Sequence, residues 1–206
     1  GWLDARIYES SNDQSNPFYS LFNDTATYYL TISGSNNGKR MGLVSPPVSP
    51  FPQGFDYFFK EEIISFHDVY YQGEFSSGAA SPIYKAGKGW FSGNIYNSSP
   101  KQVSINASFP FNTNQNPVAS ATLGLTGTNG NPHNLNITYG TSGITDNFNG
   151  YLLRKYNFNI PFSDLSGNTV FKITSLSSGT PPDYTALSHV YLKYPRNYNF
   201  STISKI

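Results

Sequence analysis

Three histidines, twelve acidic residues and no cysteine bound the chemistry open to this chain. Without a thiol there is no cysteine nucleophile, no thiolate metal site and no disulfide. A serine-type triad needs a base within reach of both a hydroxyl and an orienting acid. His67 is followed by Asp68, but neighbouring residues on a strand face opposite sides, so the two cannot pair in that way. His189 lies between Ser188 and Val190 and reads as a half-buried or surface strand residue. His133 follows Pro132 in what reads as a loop tip and is expected to be exposed. No Gly-x-Ser-x-Gly elbow and no His-x-x-x-His zinc pair occurs.

Paired carboxylates could cleave glycosides. Glu61-Glu62 is the acidic doublet, and on a strand its members point apart, as on a solvated face or edge. Asp4, Asp24, Asp146, Asp164 and Asp183 are scattered. Asp146-Asn147-Phe148-Asn149-Gly150 offers oxygen ligands that calcium would accept, but it reads first as an ordinary Asn/Asp turn. Ala86-Gly87-Lys88-Gly89-Trp90 lacks the first glycine and the Ser/Thr of a phosphate loop. The residue types thus assign no catalytic, cofactor-binding or metal-binding residue. What they leave for function is rings. Trp2, Trp90, Tyr96, Tyr194 and Tyr198 could stack on sugars if exposed, and would otherwise fill a core or cover an interface.

Those rings must be held by strands. Val103–Phe109, Leu135–Tyr139 and Tyr156–Ile160 alternate apolar and polar residues with period two, as does Ala26–Ile32. Val170–Ile173 is consistent with the same pattern, and Leu187–Tyr194 is a longer strand expected to end at Pro195. Turn clusters at 33–38, 128–132 and 166–168 read as hairpin loops. Phe55–Tyr71 is helical or two-stranded by its spacing, and its aromatics and Ile63-Ile64 favour extended chain. Four prolines within residues 45–52 form an irregular bridge. The expected organisation is all-β: an N-terminal β-lobe over 1–92 containing the 45–52 bridge, and a jelly-roll-like β-sandwich over 93–206.

Composition narrows the function classes. The 206 residues carry a net charge of +1 and only 12% charged residues, about half the usual share. Non-specific nucleic-acid binding, which needs many cations against phosphate, is disfavoured. Aromatics at 17% argue against disorder. No run of 18 apolar residues could span a bilayer as a helix. The chain opens at Gly1-Trp2-Leu3-Asp4 without a Met or a leader pattern, which reads as an excised fragment. Its wealth of Asn, Ser, Thr, Gly and Tyr, with little Lys or Glu, is the style of secreted bacterial β-proteins.

Three stretches carry a resemblance when taken together. Asn16-Pro17-Phe18-Tyr19-Ser20-Leu21-Phe22-Asn23-Asp24-Thr25 leads into Tyr28-Tyr29-Leu30-Thr31. Tyr70-Tyr71-Gln72-Gly73-Glu74 leads to Gly87-Lys88-Gly89-Trp90-Phe91-Ser92-Gly93. Leu187 to Arg196 ends in Tyr194-Pro195-Arg196. In this order they resemble the non-catalytic region ahead of the peptidase domain in gingipain-like proteins of peptidase family C25, including PorU-type members of the Bacteroidetes type IX secretion system. Gln72 and Lys88 stand where the resemblance implies acidic residues. It implies a Cys-His peptidase domain downstream in the same parent chain, and an exported protein at the outer-membrane surface or in the periplasm of a Gram-negative bacterium. No catalytic residue carries over.

The expectation is therefore a non-catalytic accessory β-domain that supports the peptidase domain or docks secreted client proteins. A carbohydrate-binding jelly-roll module, contacting glycans through Trp90, Tyr96, Tyr194 or Tyr198, is the alternative.

Overall fold

The computed structural model describes residues 15–19, 54–81, 87–114, 118–165, 167–177, 179 and 182–199. Among the described residues, twelve strands follow in chain order. They are β1 Tyr57–Ser65, β2 Val69–Gln72, β3 Phe75–Ser76, β4 Ala79–Ala80, β5 Lys88–Phe91 and β6 Lys101–Ala107. Then come β7 Ala119–Gly127, β8 Pro132–Tyr139, β9 Ser142–Asn149, β10 Leu153–Ile160, β11 Gly167–Ser175 and β12 Thr185–Asn197. The one described helical piece is a 3-10 turn at Phe162–Leu165. The all-β expectation is met, and the architecture is a jelly-roll-like sandwich.

Two four-stranded antiparallel sheets form it. The first has the order β1-β12-β7-β10 and the second β6-β11-β8-β9. Period-two alternation sends one side chain in two inward. On β6, Val103, Ile105 and Ala107 are buried while Gln102, Ser104 and Asn106 are exposed. Leu123 and Leu125 of β7, Tyr156 and Phe158 of β10, Ile137 and Tyr139 of β8, and Val190 and Leu192 of β12 join them in one core. Phe171 of β11 links the sheets: its ring lies 4.7 Å from Tyr139 in its own sheet and 5.6 Å from Phe158 in the facing one. Each such buried side chain contributes roughly 1.5–3 kcal/mol over leaving it in water.

Several turns join different partners from those the sequence suggests. The 128–132 segment carries the chain from β7 in the first sheet to β8 in the second, so it is a corner between sheets. Gly167 and Asn168 already lie in β11, paired with Ala107 and Asn106 of β6. A tight hairpin falls instead at Gly140-Thr141, where Tyr139 pairs with Ser142 and Gly140 adopts φ of 50°. Asp146–Asn149 is strand β9, not a turn. Strand β12 also runs on through Pro195 to Asn197. Pairing with β7 stops at Lys193, and beyond it Phe111 N donates to Pro195 O on that side at 2.8 Å. The missing proline amide therefore breaks no β7–β12 bond.

β1 pairs with β12 over nine residues, from Tyr57↔Asn197 to Ser65↔His189, so the sandwich extends N-terminally of Gly93. The stretch 55–71 is extended as expected, as β1 and β2. β2 and β5 form a small separate sheet, as do β3 and β4. The expected strand at 26–32, the turn at 33–38 and the proline bridge at 45–52 lie outside the described residues.

The open side of the sandwich between edge strands β9 and β10 is closed by charge. Arg154 of β10 donates through Nε to Asp146 of β9 at 2.8 Å, and Tyr156 Oη donates to the same carboxylate at 2.8 Å. Burial alone would raise the Asp146 carboxyl, but these two donors outweigh it and hold it below its ordinary value. Burial, and then the carboxylate, push the Tyr156 phenol up.

Strand β7, paired on both sides, carries a glycine where a side chain cannot fit. A Cβ on Gly124 would stand 2.5 Å from Cε1 and 2.9 Å from Nδ1 of His189 on the neighbouring β12. Gly124→Ala is therefore expected to destabilise the fold by about 2 kcal/mol in chemical denaturation, through overpacking against a buried ring. Adding His189→Ala should recover part of that loss, because it removes the ring the methyl meets.

Candidate functional site

The polar centre of the molecule is built around the histidine expected to be exposed. His133 is buried, 1% exposed. The strand begins at Pro132 itself, so His133 falls in phase with the inward residues Leu135, Ile137 and Tyr139. Its Nδ1 lies 2.5 Å from Oδ1 of Asp183, just ahead of β12. Its Nε2 lies 3.0 Å from the carbonyl oxygen of Gly150, in the turn between β9 and β10. The other Asp183 oxygen accepts from the Asn134 backbone N–H at 2.9 Å and from Ser175 Oγ of β11 at 2.9 Å. Burial pushes the Asp183 carboxyl up, but the bonds from His133, Asn134 and Ser175 prevail and hold it below the ordinary carboxylate value.

Serine, histidine and aspartate thus meet, but in an order unlike that of a hydrolytic triad. A catalytic base hands its far nitrogen to the nucleophile and its near one to the acid. Here the far nitrogen faces a main-chain carbonyl, and Ser175 bonds to the acid. Both imidazole nitrogens face acceptors, so the ring has no lone pair turned toward the hydroxyl. The arrangement ties β8, β11, the β9–β10 turn and the approach to β12 into one cluster. A second β7 glycine permits it: a Cβ on Gly127 would lie 2.1 Å from Gly150 O and 2.3 Å from His133 Nε2.

His189 is also buried, 2% exposed, where a half-buried or surface position was expected. A register shift between Leu187 and His189 inserts Ser188 as an extra residue. The bulge sets His189 on the outer face, over Gly124. Segment 15–19 lies across it. Phe18 meets the imidazole edge-on at 5.3 Å, Ser188 Oγ donates to Ser15 O at 2.5 Å, and Asn16 Nδ2 donates to Ser188 O at 3.3 Å. Burial, with the Lys155 ammonium next, pushes the His189 imidazole down to about 4.

The rings singled out as ligand contacts fall in separate places. Tyr194 is 0% exposed, and its hydroxyl donates to Ser108 O at 3.2 Å; it is a core residue and cannot meet a ligand. The cause is phase: Tyr194 continues the inward series Val190, Leu192. Trp90 on β5 is half-buried and meets Tyr70 and Tyr19 edge-on, at 5.4 and 6.4 Å. Tyr96 meets Tyr184 edge-on at 5.6 Å. Tyr198 is exposed and tilted against Phe58. Trp2 lies outside the described residues. Tyr19 stacks on the exposed His67 at 4.8 Å.

Glu61 and Glu62 lie on β1, the edge of its sheet among the described residues, and pair with Lys193 and Lys60, a solvated edge as expected. Among the described residues no three His, Asp or Glu side chains gather to hold a metal. Above the His133 cluster an open cleft of about 330 Å³ is lined by Asn134, Asn147, Asn149, Phe148 and Ser177. Sequence reasoning missed Ser175 and Asn134, left Asp183 as a scattered acid, and read Asn147 and Asn149 as part of a turn with oxygen ligands that calcium would accept. The one available signal was the phase of His133 with Leu135.

Two outcomes follow. Asp183→Asn should cost about 3 kcal/mol of folding stability in urea titration, because it breaks a buried, fully bonded pair. For His189 the folded value lies below the ordinary 6.5, so the unfolded chain takes up a proton that the folded chain refuses. Stability should fall as pH drops from 6.5 to 4, by about 3 kcal/mol at 1.36 kcal/mol per unit, and His189→Gln should flatten that slope. The Asp183 contribution is lost only at lower pH, below its ordinary 3.8.

No protein-family profile and no curated protein matches the chain. Among solved structures it is similar to dimeric latent PorU from Porphyromonas gingivalis, with TM-score 0.49 and 10% identity over 69% of this chain. The chain spans 13% of that PorU chain. It is also similar to the CBM36-1 domain of a multidomain xylanase from the hindgut metagenome of Trinervitermes trinervoides, with TM-score 0.37 and 14% identity over 65% of this chain and 96% of the other. A carbohydrate-binding module CBM36 in complex with calcium and xylotriose matches at TM-score 0.37 and 13% identity, over 64% and 98% of the two chains. Likenesses of this extent assign no function to this chain.

Proposed function

We propose that this chain is a non-catalytic accessory β-domain of an exported surface peptidase of a Gram-negative bacterium. It works by contact, supporting the catalytic domain downstream in the same parent or docking secreted clients. One observation carries the reading: an apolar row on the outer face of the first sheet, along edge strand β1. Phe59 is 54% exposed and Ile63 is 45% exposed, on the same side of that strand. Their register partners are Pro195 and Tyr191, and Phe18, 41% exposed, stacks on Tyr191 at 5.8 Å. Lys193 sits over the Phe59 ring at 5.4 Å and beside Glu61 at 3.5 Å. The Glu61–Lys193 pair stands between Phe59/Pro195 and Ile63/Tyr191 on this face, and apolar side chains flanking one exposed ion pair are a make-up that suits a protein contact.

The wiring of His133 supports the non-catalytic part, since neither ring nitrogen is turned to a nucleophile. Stacking of glycans on coplanar rings has less support, because Trp90 and Tyr96 meet their ring neighbours edge-on. The low charge and the Asn/Ser/Thr-rich faces support an exported setting.

The test uses the parent protein with Phe59→Arg and Ile63→Arg together. Cross-links between the β1 face and the peptidase domain or a client should disappear while this domain's melting transition stays in place. Persistent cross-links would overturn the contact surface. Peptide or glycoside hydrolysis by the chain alone, lost in His133→Gln, would overturn the non-catalytic reading.

A further inference from the structure

The outer face of the second sheet ends in an uncharged amide cleft. We infer that this cleft, between Asn134 of β8 and Asn147 and Asn149 of β9, binds a neutral, hydroxyl-rich ligand of the size of a mono- or disaccharide. Asn134 and Asn147 are register partners across the two strands, and Pro132 and Asn149 are the next pair on the same face. Side chains paired in this way stand about 5 Å apart. Each amide both donates and accepts, as each sugar hydroxyl does. Two amides side by side therefore match two adjacent hydroxyls without either partner carrying charge.

Three further observations converge. The lining holds no Lys, Arg, Asp or Glu. The Asp183 carboxylate behind the cleft already accepts from His133, Asn134 and Ser175. Pro132 and His133, whose ring nitrogens are taken up by Asp183 and Gly150 O, complete the lining, so an ammonium would find no free carboxylate there. Next, Asn134 Oδ1 is buried without a hydrogen-bond partner. A buried acceptor left so is unfavourable, and turning the Asn134 side chain toward the cleft would let a donor from a ligand relieve it. Finally, the floor is rigid. The Asn134 backbone N–H is tied to Asp183 at 2.9 Å, and its carbonyl accepts from Leu176 N at 2.7 Å. The turn that follows Asn149 is held by Gly150 N to Asn131 O at 3.0 Å and by His133. A backbone fixed in this way costs little ordering on binding.

Phe148 is not the platform. It is 7% exposed, with His133 4.7 Å away on one contact and Arg154 at 5.7 Å on another. Recognition in this cleft is by hydrogen bonds, and it is separate from the β1 contact surface. A volume of about 330 Å³ lies at the small end of the roughly 300–1,000 Å³ of ligand sites.

The chain is titrated with xylobiose, cellobiose and mannobiose, and with glucuronate as the charged counterpart. Side-chain and backbone amide NMR shifts of Asn134, Asn147 and Asn149 are followed. At least one neutral sugar should give saturable shifts confined to this cleft. Asn147→Ala, an exposed substitution, should weaken it about tenfold or more while leaving the melting transition unchanged, and Asn106→Ala on β6 should have no effect. Asn134→Asp, which keeps the shape and adds charge, should weaken it as well. Absence of shifts across the three neutral sugars, shifts that survive Asn147→Ala, or a preference for glucuronate would each overturn the proposal.

Discussion

A buried carboxylate against a buried imidazole organises one end of this sandwich. Taking either group out of water costs several kcal/mol unless its bonds are replaced. Asp183 has three donors and His133 two acceptors, so nothing in the pair is left open. The five groups come from β8, β11, the β9–β10 turn and the lead into β12. No single element can move without stranding a charge or a carbonyl. The same constraint fixes the second sheet's cleft, because Asn134 is both a donor to Asp183 and part of that cleft's wall. It also dictates Gly127, since any side chain there would occupy the space of the Gly150 carbonyl and the ring.

The strands were legible because alternation is a local property. Val103-Ile105-Ala107 and Tyr156-Phe158-Ile160 announce an inward face whatever they later pack against. Partnership was not legible. The Asn-Gly cluster at 129–130 has the composition of a hairpin, yet it turns the chain from one sheet to the other, and residue type does not encode which sheet receives the next strand. Tyr194 and His133 show both sides of the same rule. Extending the period of Leu192 would have placed Tyr194 in the core, and extending that of Leu135 backwards would have buried His133. His189 could not be found by phase alone. It depends on the Ser188 bulge, hinted at by Leu187 and Val190 standing three apart, and on a glycine 65 positions earlier in the chain.

The two outer faces divide the chain's composition between them. The first sheet turns Phe59, Ile63 and Tyr191 outward, with Phe18 laid over its β12 row. The second turns out Asn134, Asn136 and Thr138 of β8 beside Thr145, Asn147 and Asn149 of β9. A neutral carpet of amides and hydroxyls keeps a sheet face soluble without lysine or glutamate, which is how 12% charge suffices for the whole chain. The charges that remain are placed at edges. Lys60, Glu61 and Glu62 guard β1 against pairing with another strand. Asp146, Arg154 and Tyr156 close the gap between β9 and β10 from within.

That placement bears on what the two buried histidines can do. Both buried histidines fill sockets that β7 opens with Gly124 and Gly127, one on each face of the first sheet. An imidazole set in a socket gains packing and loses the freedom to approach a reacting group. His189 is kept neutral by burial, and His133 spends both nitrogens on acceptors. Turning either into a general base would require removing the partner that holds it, and with it a tie between strands. Chemistry and stability therefore compete for the same side chains, and here stability holds them. The recognition proposed for this chain draws on residues the core does not use: the apolar side chains of β1 and the amides of β8 and β9.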